Sequence, residues 1–171
     1  MSVSLYSISA PIFVQFLNSM SGVLGKAQAH AEAKKIDMNY LMTSRLAPDM
    51  FPLVRQVRAV TDHAVGGVGR LAGVDLPTFP GEEQTLADLQ KRIEIAVAFV
   101  KTIKPEQMNG SGDKEIVLKF PSGERKFVGT GYLLNFALPN FFFHHTTAYD
   151  ILRHNGVELG KRDFMGTPVT L

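Results

Sequence analysis

The chain of 171 residues contains no cysteine. This absence excludes a disulfide framework, a thiolate nucleophile and any zinc or iron–sulfur site with cysteine ligands. No apolar run approaches the roughly 18 residues that a membrane span needs. The first basic residue is Lys26, so the N-terminus lacks the charged start of a secretory signal. We therefore expect a cytoplasmic protein that does not enter a membrane.

The sequence also lacks a strong excess of charge of one sign. Its 18 Lys and Arg residues face 16 Asp and Glu residues, and both signs are scattered along the chain. No basic patch is interleaved with aromatic residues, so we expect no nucleic-acid partner. The hydrophobic fraction of 45% and the charged fraction of 20% are typical of one globular domain with a full apolar core. Residues 1–171 are therefore predicted to form a single domain.

The first half of the chain carries two stripes of apolar residues at alternating spacings of three and four, the pattern of an amphipathic helix. The first stripe predicts a long helix over about residues 10–35. A second predicted helix begins at an N-cap residue, Asp49, and ends at Gly73, where a left-handed cap is usual.

Two further helices are predicted in the second half. Thr85 and Asp88 resemble a capping box at the start of the third helix, which closes before Pro105. The fourth helix covers about residues 131–154, and Pro139 is expected to kink it.

A short alternating segment separates the third and fourth helices. Residues 115–120 and 125–128 read as strands joined by a Pro-Ser-Gly turn, which predicts a small β-hairpin before the last long helix. Four long amphipathic helices favour an all-α architecture, an antiparallel four-helix bundle. Residues 157–171 are expected to pack irregularly on its surface.

Several polar side chains interrupt the apolar face of the fourth predicted helix. At about 100° per residue, His144 and His145 lie on either side of a stripe that otherwise faces the core. Asn140 precedes His144 by one turn and Thr147 follows it at the third position, so the three form a polar line. On the second helix, His63 lies at the edge of the apolar face. These residues are candidates for a pocket between helices.

Two interpretations of this pattern remain open. A divalent transition metal held by side chains from different helices is one way in which bundles build catalytic sites. Alternatively, each imidazole is hydrogen-bonded to a backbone or hydroxyl group. Tyr149 shares the His145 side of the helix and is either a proton donor in the pocket or a packed ring with one partner.

Five stretches of the sequence are together similar to a bacterial family known as a domain of unknown function, within the DinB-like, YfiT-like superfamily of four-helix bundles. These stretches are residues 45–53, 70–73, 136–140, 146–156 and 160–163. The resemblance spans nearly the whole chain. It implies a divalent metal such as Zn, Ni or Mn, held by one His of the second helix and a His-x-x-x-His pair of the last long helix. Some relatives are thiol-dependent transferases.

The resemblance assigns the metal ligands to His63, Asn140 and His144. Asn140 replaces the first His of the pair, and an amide oxygen is a poorer ligand for Zn or Ni than imidazole. Such a site would be weak or selective for a harder ion. His145 is an alternative ligand, one residue out of register.

Two functions follow as hypotheses. In the first, the protein is a metal-dependent hydrolase or transferase acting on a small molecule in a pocket that includes His145 and Thr147, with Tyr149 as a catalytic residue. In the second, the site is degenerate and the protein is a homodimeric binding or structural module. The three consecutive phenylalanines at 141–143 cover most of the helix circumference and would form the interface.

Overall fold

Helices joined by loops and by one β-hairpin make up most of residues 3–168, the part of the chain that this computed structural model describes. The helices are α1 (Ala10–Lys34), α2 (Met38–Thr43), α3 (Leu53–Ala72), α4 (Leu86–Thr102), α5 (Gly129–Tyr132), α6 (Leu138–His154) and α7 (Lys161–Met165), and the two strands are β1 (Glu115–Phe120) and β2 (Gly123–Val128).

The four long helices, α1, α3, α4 and α6, share one apolar core. Helix α3 packs against α6 and α4, and α1 packs against α4. Most residues of the apolar stripes predicted from the sequence face this core, and Phe13, Leu17, Val57, Ile93 and Phe141 are all at most 1% exposed. Burial of each large side chain contributes about 1.5–3 kcal/mol, so these stripes fix how the helices pack. None of the helices within residues 3–168 combines the length and the hydropathy that a membrane-spanning helix needs.

Two of the predicted helix ends are confirmed, and one is wrong. Gly73 ends α3 with a φ of 72°, a left-handed conformation that glycine adopts without strain. Thr85 and Asp88 form the predicted capping box at the start of α4. Asp49, however, is not an N-cap. Helix α3 begins at Leu53 after an extended Pro52, because the preceding residues form a turn and the amide of Leu53 donates to the Ser44 carbonyl.

The predicted hairpin is also present. Strands β1 and β2 are antiparallel, and Glu115 pairs with Val128 at the open end. Ile116 and Leu118 point towards the helices and are less than 10% exposed, whereas β2 lies mostly in solvent. The hairpin therefore covers one flank of the helical core.

The fourth predicted helix is divided into three consecutive pieces. A π-turn over Leu133–Ala137 joins α5 to α6. Pro139, at the start of α6, has no N–H to donate to the carbonyl of Asn135, and the turn with wider hydrogen bonds accommodates this loss. The disturbance expected at Pro139 is thus a π-turn in the residues just before it.

The tail is more ordered than expected. Within the segment predicted to be irregular, α7 packs on α1, and the carboxylate of Asp163 accepts the Gly160 amide at 2.9 Å to cap it. Val157 and Leu159, which precede α7 in the sequence, are also buried. The last three residues of that predicted segment, 169–171, lie outside the described range.

Candidate functional site

The packing of α3 on α6 brings two histidines of the predicted ligand set together. The ring centroids of His63 and His144 lie 5.6 Å apart, and the two planes are inclined by 11°. Both side chains are half-buried. We call these two residues the histidine pair. Because His63 and His144 are far apart in the sequence, their contact depends on the packing of α3 against α6.

A buried glutamine holds one ring of the pair. Oε1 of Gln56 lies 2.7 Å from Nδ1 of His144, and Nε2 of Gln56 donates to the Phe51 carbonyl at 3.0 Å. Because its amide nitrogen is committed to a carbonyl, the oxygen of Gln56 must be the acceptor for Nδ1–H of His144. The neutral tautomer of His144 therefore carries its lone pair on Nε2.

Both imidazoles of the histidine pair are held in their neutral form. Burial, together with the charges of His144 and Arg70, lowers the pKa of His63 to about 4. Burial also lowers the pKa of His144. Neutral imidazole is the form that binds metals or accepts protons, so the pair offers nitrogen lone pairs at physiological pH.

His63 also borders a cavity between α3 and the hairpin. The cavity has a volume of about 370 Å³ and is lined by Asp62, His63, Arg70, Phe136 and the β1 residues 117–120. The ring of Phe136 lies edge-on to His63, with centroids 5.7 Å apart. A small molecule in the cavity would thus contact the histidine pair through His63.

The third member of the predicted ligand set, Asn140, lies on α6 one turn before His144. Its Nδ2 donates to the carbonyl of Phe136 at 2.7 Å, a bond to the preceding helical turn. This bond turns the amide back along the helix axis and leaves Oδ1 as the atom able to act as a ligand.

His145 lies on a different side of α6 from His144. It is fully buried, and its Nε2 donates to the Phe16 carbonyl of α1 at 3.0 Å. Its ring contacts Phe164 of α7 edge-on. Burial lowers the pKa of His145 to about 4. Of the two interpretations, the backbone-bonded one describes His145.

Thr147 and Tyr149 do not join the histidine pair either. The hydroxyl of Thr147 donates to the carbonyl of Phe143 at 2.7 Å. The ring of Tyr149 packs edge-on against Phe164, with centroids 5.7 Å apart. Because Tyr149 comes five helical residues after His144, it points about 140° away from it. A catalytic role for Tyr149 at the histidine pair is therefore not supported by its position.

Two buried polar residues that matter here were missed in the sequence. Gln56 is 1% exposed and Arg92 is 4% exposed. Arg92 donates to Thr61, Glu83 and Asp62, which ties α4 to α3 directly beside His63. Both Gln56 and Arg92 occupy the third position after a leucine of their apolar stripe. A polar residue at an apolar position was therefore the signal that could have identified them.

The residues present fit a divalent metal in part. His63 and His144 supply two neutral nitrogen donors, and the bond from Gln56 to His144 is the kind of support that metal-bound histidines have. Within residues 3–168, no group of three or more His, Cys, Asp or Glu side chains is arranged to hold a metal. Asn140 is the amide residue that the resemblance assigns as the third ligand, and its Oδ1 is not used in the hydrogen bond to Phe136.

Comparison with known proteins agrees with this architecture. A family model described as a domain of unknown function, DUF1993, matches residues 5–165. A solved structure of a DinB family member protein from Shewanella denitrificans is 37% identical, with a TM-score of 0.89 over 98% of this chain and 95% of that one. The comparison with curated proteins gives no match. The chain therefore belongs to the DUF1993 family, within the DinB-like superfamily.

Proposed function

We propose that the protein is a metal-dependent hydrolase or transferase that acts on a small molecule in a pocket between the helices of an antiparallel four-helix bundle. His63 and His144 would hold a divalent ion such as Zn, Ni or Mn, with Oδ1 of Asn140 as the third donor. The observation that carries the proposal is the 2.7 Å hydrogen bond between Gln56 and His144. It leaves the Nε2 lone pair of His144 free beside a second neutral imidazole.

The residues of the chain determine what such a site could do. When bound, the ion would lower the pKa of a water or thiol, which is the chemistry shared by hydrolases and thiol transferases. Gln56 fixes the ring of His144, while the ring of Phe136 packs edge-on against His63. Two imidazoles and one amide leave several coordination positions open, as a catalytic metal needs.

Metal content and thermal unfolding test this proposal. The protein is purified without chelator and without a His-tag, analysed for its elements, and then titrated with Zn, Ni and Mn. We expect about one equivalent of one ion and a rise in Tm, because an ion that binds only the folded state stabilises it. The variants His63→Ala and His144→Ala should lose both effects. His154→Ala, at the exposed end of α6, is the matched control and should keep them.

A metal content far below one equivalent, with no rise in Tm for any of the three ions, would overturn the proposal. Equal binding by His63→Ala and by His154→Ala would also do so, because the ion would then lie elsewhere.

A second function, that of a dimeric binding module, is favoured by exposed aromatic rings around His144. Phe143 is 56% exposed and Phe51 is 41% exposed, and both rings contact the His144 ring. Phe142, in contrast, packs edge-on against Phe16 at 4.8 Å between centroids. An interface on α6 would therefore use Phe143 and would cover the histidine pair.

Light scattering distinguishes this second function. If it holds, the protein is a dimer and Phe143→Ala is a monomer, whereas Ile95→Ala, an exposed residue of α4, leaves the dimer intact. A monomer at high concentration before any substitution would exclude it.

A further inference from the structure

The cavity beside His63 contains a second functional group, the guanidinium of Arg70. Arg70 follows His63 by seven positions on α3, which is about two helical turns, so both side chains lie on the same face. Both line the cavity of about 370 Å³. A molecule in that cavity can therefore contact Arg70 and His63 at the same time.

A glycine and a buried tyrosine hold Arg70 in place. The guanidinium folds back over Gly66, where a Cβ would stand only 2.0 Å from Nη1 of Arg70. Nη1 donates to the hydroxyl of Tyr132 at 2.9 Å, and Tyr132 is 1% exposed. A larger residue at position 66 would push the guanidinium away. The arrangement orients Arg70 before any ligand arrives.

The charge of Arg70 has no carboxylate partner within the described chain. Over residues 3–168, the ion pairs within 4.0 Å involve other cations. Asp62, the acid that lines the same cavity, is paired with Arg92. The bond to Tyr132 uses one of the five N–H donors of the guanidinium. A half-buried, oriented and unpaired guanidinium is suited to a planar carboxylate or a phosphate.

We propose that Arg70 binds the anionic group of a small organic ligand whose apolar body lies against Phe120 and Phe136. This inference rests on the proposed function, because it names the class of substrate for that site: a carboxylate or phosphate attached to an aromatic or apolar group. The two rings lie 6.2 Å apart between centroids and form an apolar wall of the cavity. The other end of the ligand then meets His63.

Binding of simple aromatic anions to the metal-free protein tests the inference. Benzoate and phenyl phosphate are titrated by NMR or calorimetry after the chelator has been removed, and benzyl alcohol serves as the neutral probe. We expect both anions to bind and benzyl alcohol to bind about tenfold more weakly, since a charge-assisted hydrogen bond is lost. Arg70→Gln should weaken the binding of both anions by a similar factor. Arg153→Gln, on the exposed surface of α6, should leave them unchanged.

Two further variants protect the test against a folding defect. Arg70→Lys keeps the charge but loses the fork of donors, and should bind the anions with intermediate affinity. Gly66→Ala keeps Arg70 itself but displaces its guanidinium, and should lower the affinity for both anions. Tighter binding of benzoate would identify the carboxylate class, and tighter binding of phenyl phosphate the phosphate class.

Anion binding that is absent, or that is equal in Arg70→Gln and Arg153→Gln, would overturn the inference. Because no metal is present in this experiment, its result is independent of whether the histidine pair binds an ion.

Discussion

The substitution Gln56→Leu removes the group that orients His144 while leaving both histidines in place. Leucine has a similar size and suits a position that is 1% exposed. The variant loses two hydrogen bonds, one of 2.7 Å to Nδ1 of His144 and one of 3.0 Å to the Phe51 carbonyl. The His144 ring is then free to change its tautomer and its orientation.

The size of the effect can be worked out from those two bonds. Each contributes a net 0.5–1.5 kcal/mol, roughly, to the free energy of unfolding. Both former partners are partly exposed, so water can replace some of what is lost. We expect a decrease of about 1–3 kcal/mol. Loss of such a supporting bond lowers the metal affinity of a histidine site by about 10- to 100-fold.

Gln90→Leu provides a matched control for the loss of stability. Gln90 accepts a hydrogen bond from the hydroxyl of Ser21 at 2.6 Å and donates to its carbonyl at 2.9 Å. It therefore also makes two hydrogen bonds, but on α4 and away from the histidine pair. Urea unfolding should show a similar decrease for both variants. Only Gln56→Leu should weaken the titration with Zn and change the imidazole ¹⁵N shifts of His144.

Gln56→Glu completes the comparison. A carboxylate still accepts Nδ1–H of His144, so metal affinity should be retained even though the bond to the Phe51 carbonyl is lost. Equal metal affinity in Gln56→Leu and Gln90→Leu would refute the idea that Gln56 orients His144 for binding.

Two other predictions concern stability. Burial lowers the pKa of His145 to about 4 in the folded protein. Because His145 takes up a proton at a higher pH in the unfolded chain, the free energy of unfolding should fall as the pH decreases from about 6.5 to 4. His145 should account for about 3 kcal/mol of this change in the free energy of unfolding. Urea unfolding at pH 7 and pH 4 should therefore show a smaller pH dependence for His145→Gln than for the unsubstituted protein, and an unchanged dependence would contradict this. Gly129→Ala should destabilise the fold by more than about 2 kcal/mol, because its Cβ would meet the Ser111 carbonyl oxygen at 1.9 Å. Gly131→Ala, with nothing nearer than 3.8 Å, should be neutral or raise Tm slightly. A similar Tm for the two glycine variants would show that the contact at Gly129 relaxes freely.

The ends of the helices illustrate which local features could be predicted. The capping box of Thr85 and Asp88 and the left-handed Gly73 involve hydrogen bonds and backbone angles within a few residues, and both are confirmed. The prediction of Asp49 as an N-cap was wrong because the start of α3 depends on a contact outside the helix and its immediate neighbours. The start of α3 depends on the end of α2, where the Ser44 carbonyl accepts a hydrogen bond from the Leu53 amide, and a contact across nine residues cannot be inferred from a cap preference.

The sequence by itself determined the four long helices, the hairpin and most of the faces that they bury, because periodicity and turn chemistry act over short distances along the chain. It also marked His144 and His145 as polar residues on either side of an apolar stripe. Only the tertiary structure decided that His144 meets His63 and Gln56, whereas the adjacent His145 turns to the Phe16 carbonyl. Neighbours on a helix differ by about 100° in direction, and which helix each side chain meets depends on how the helices pack.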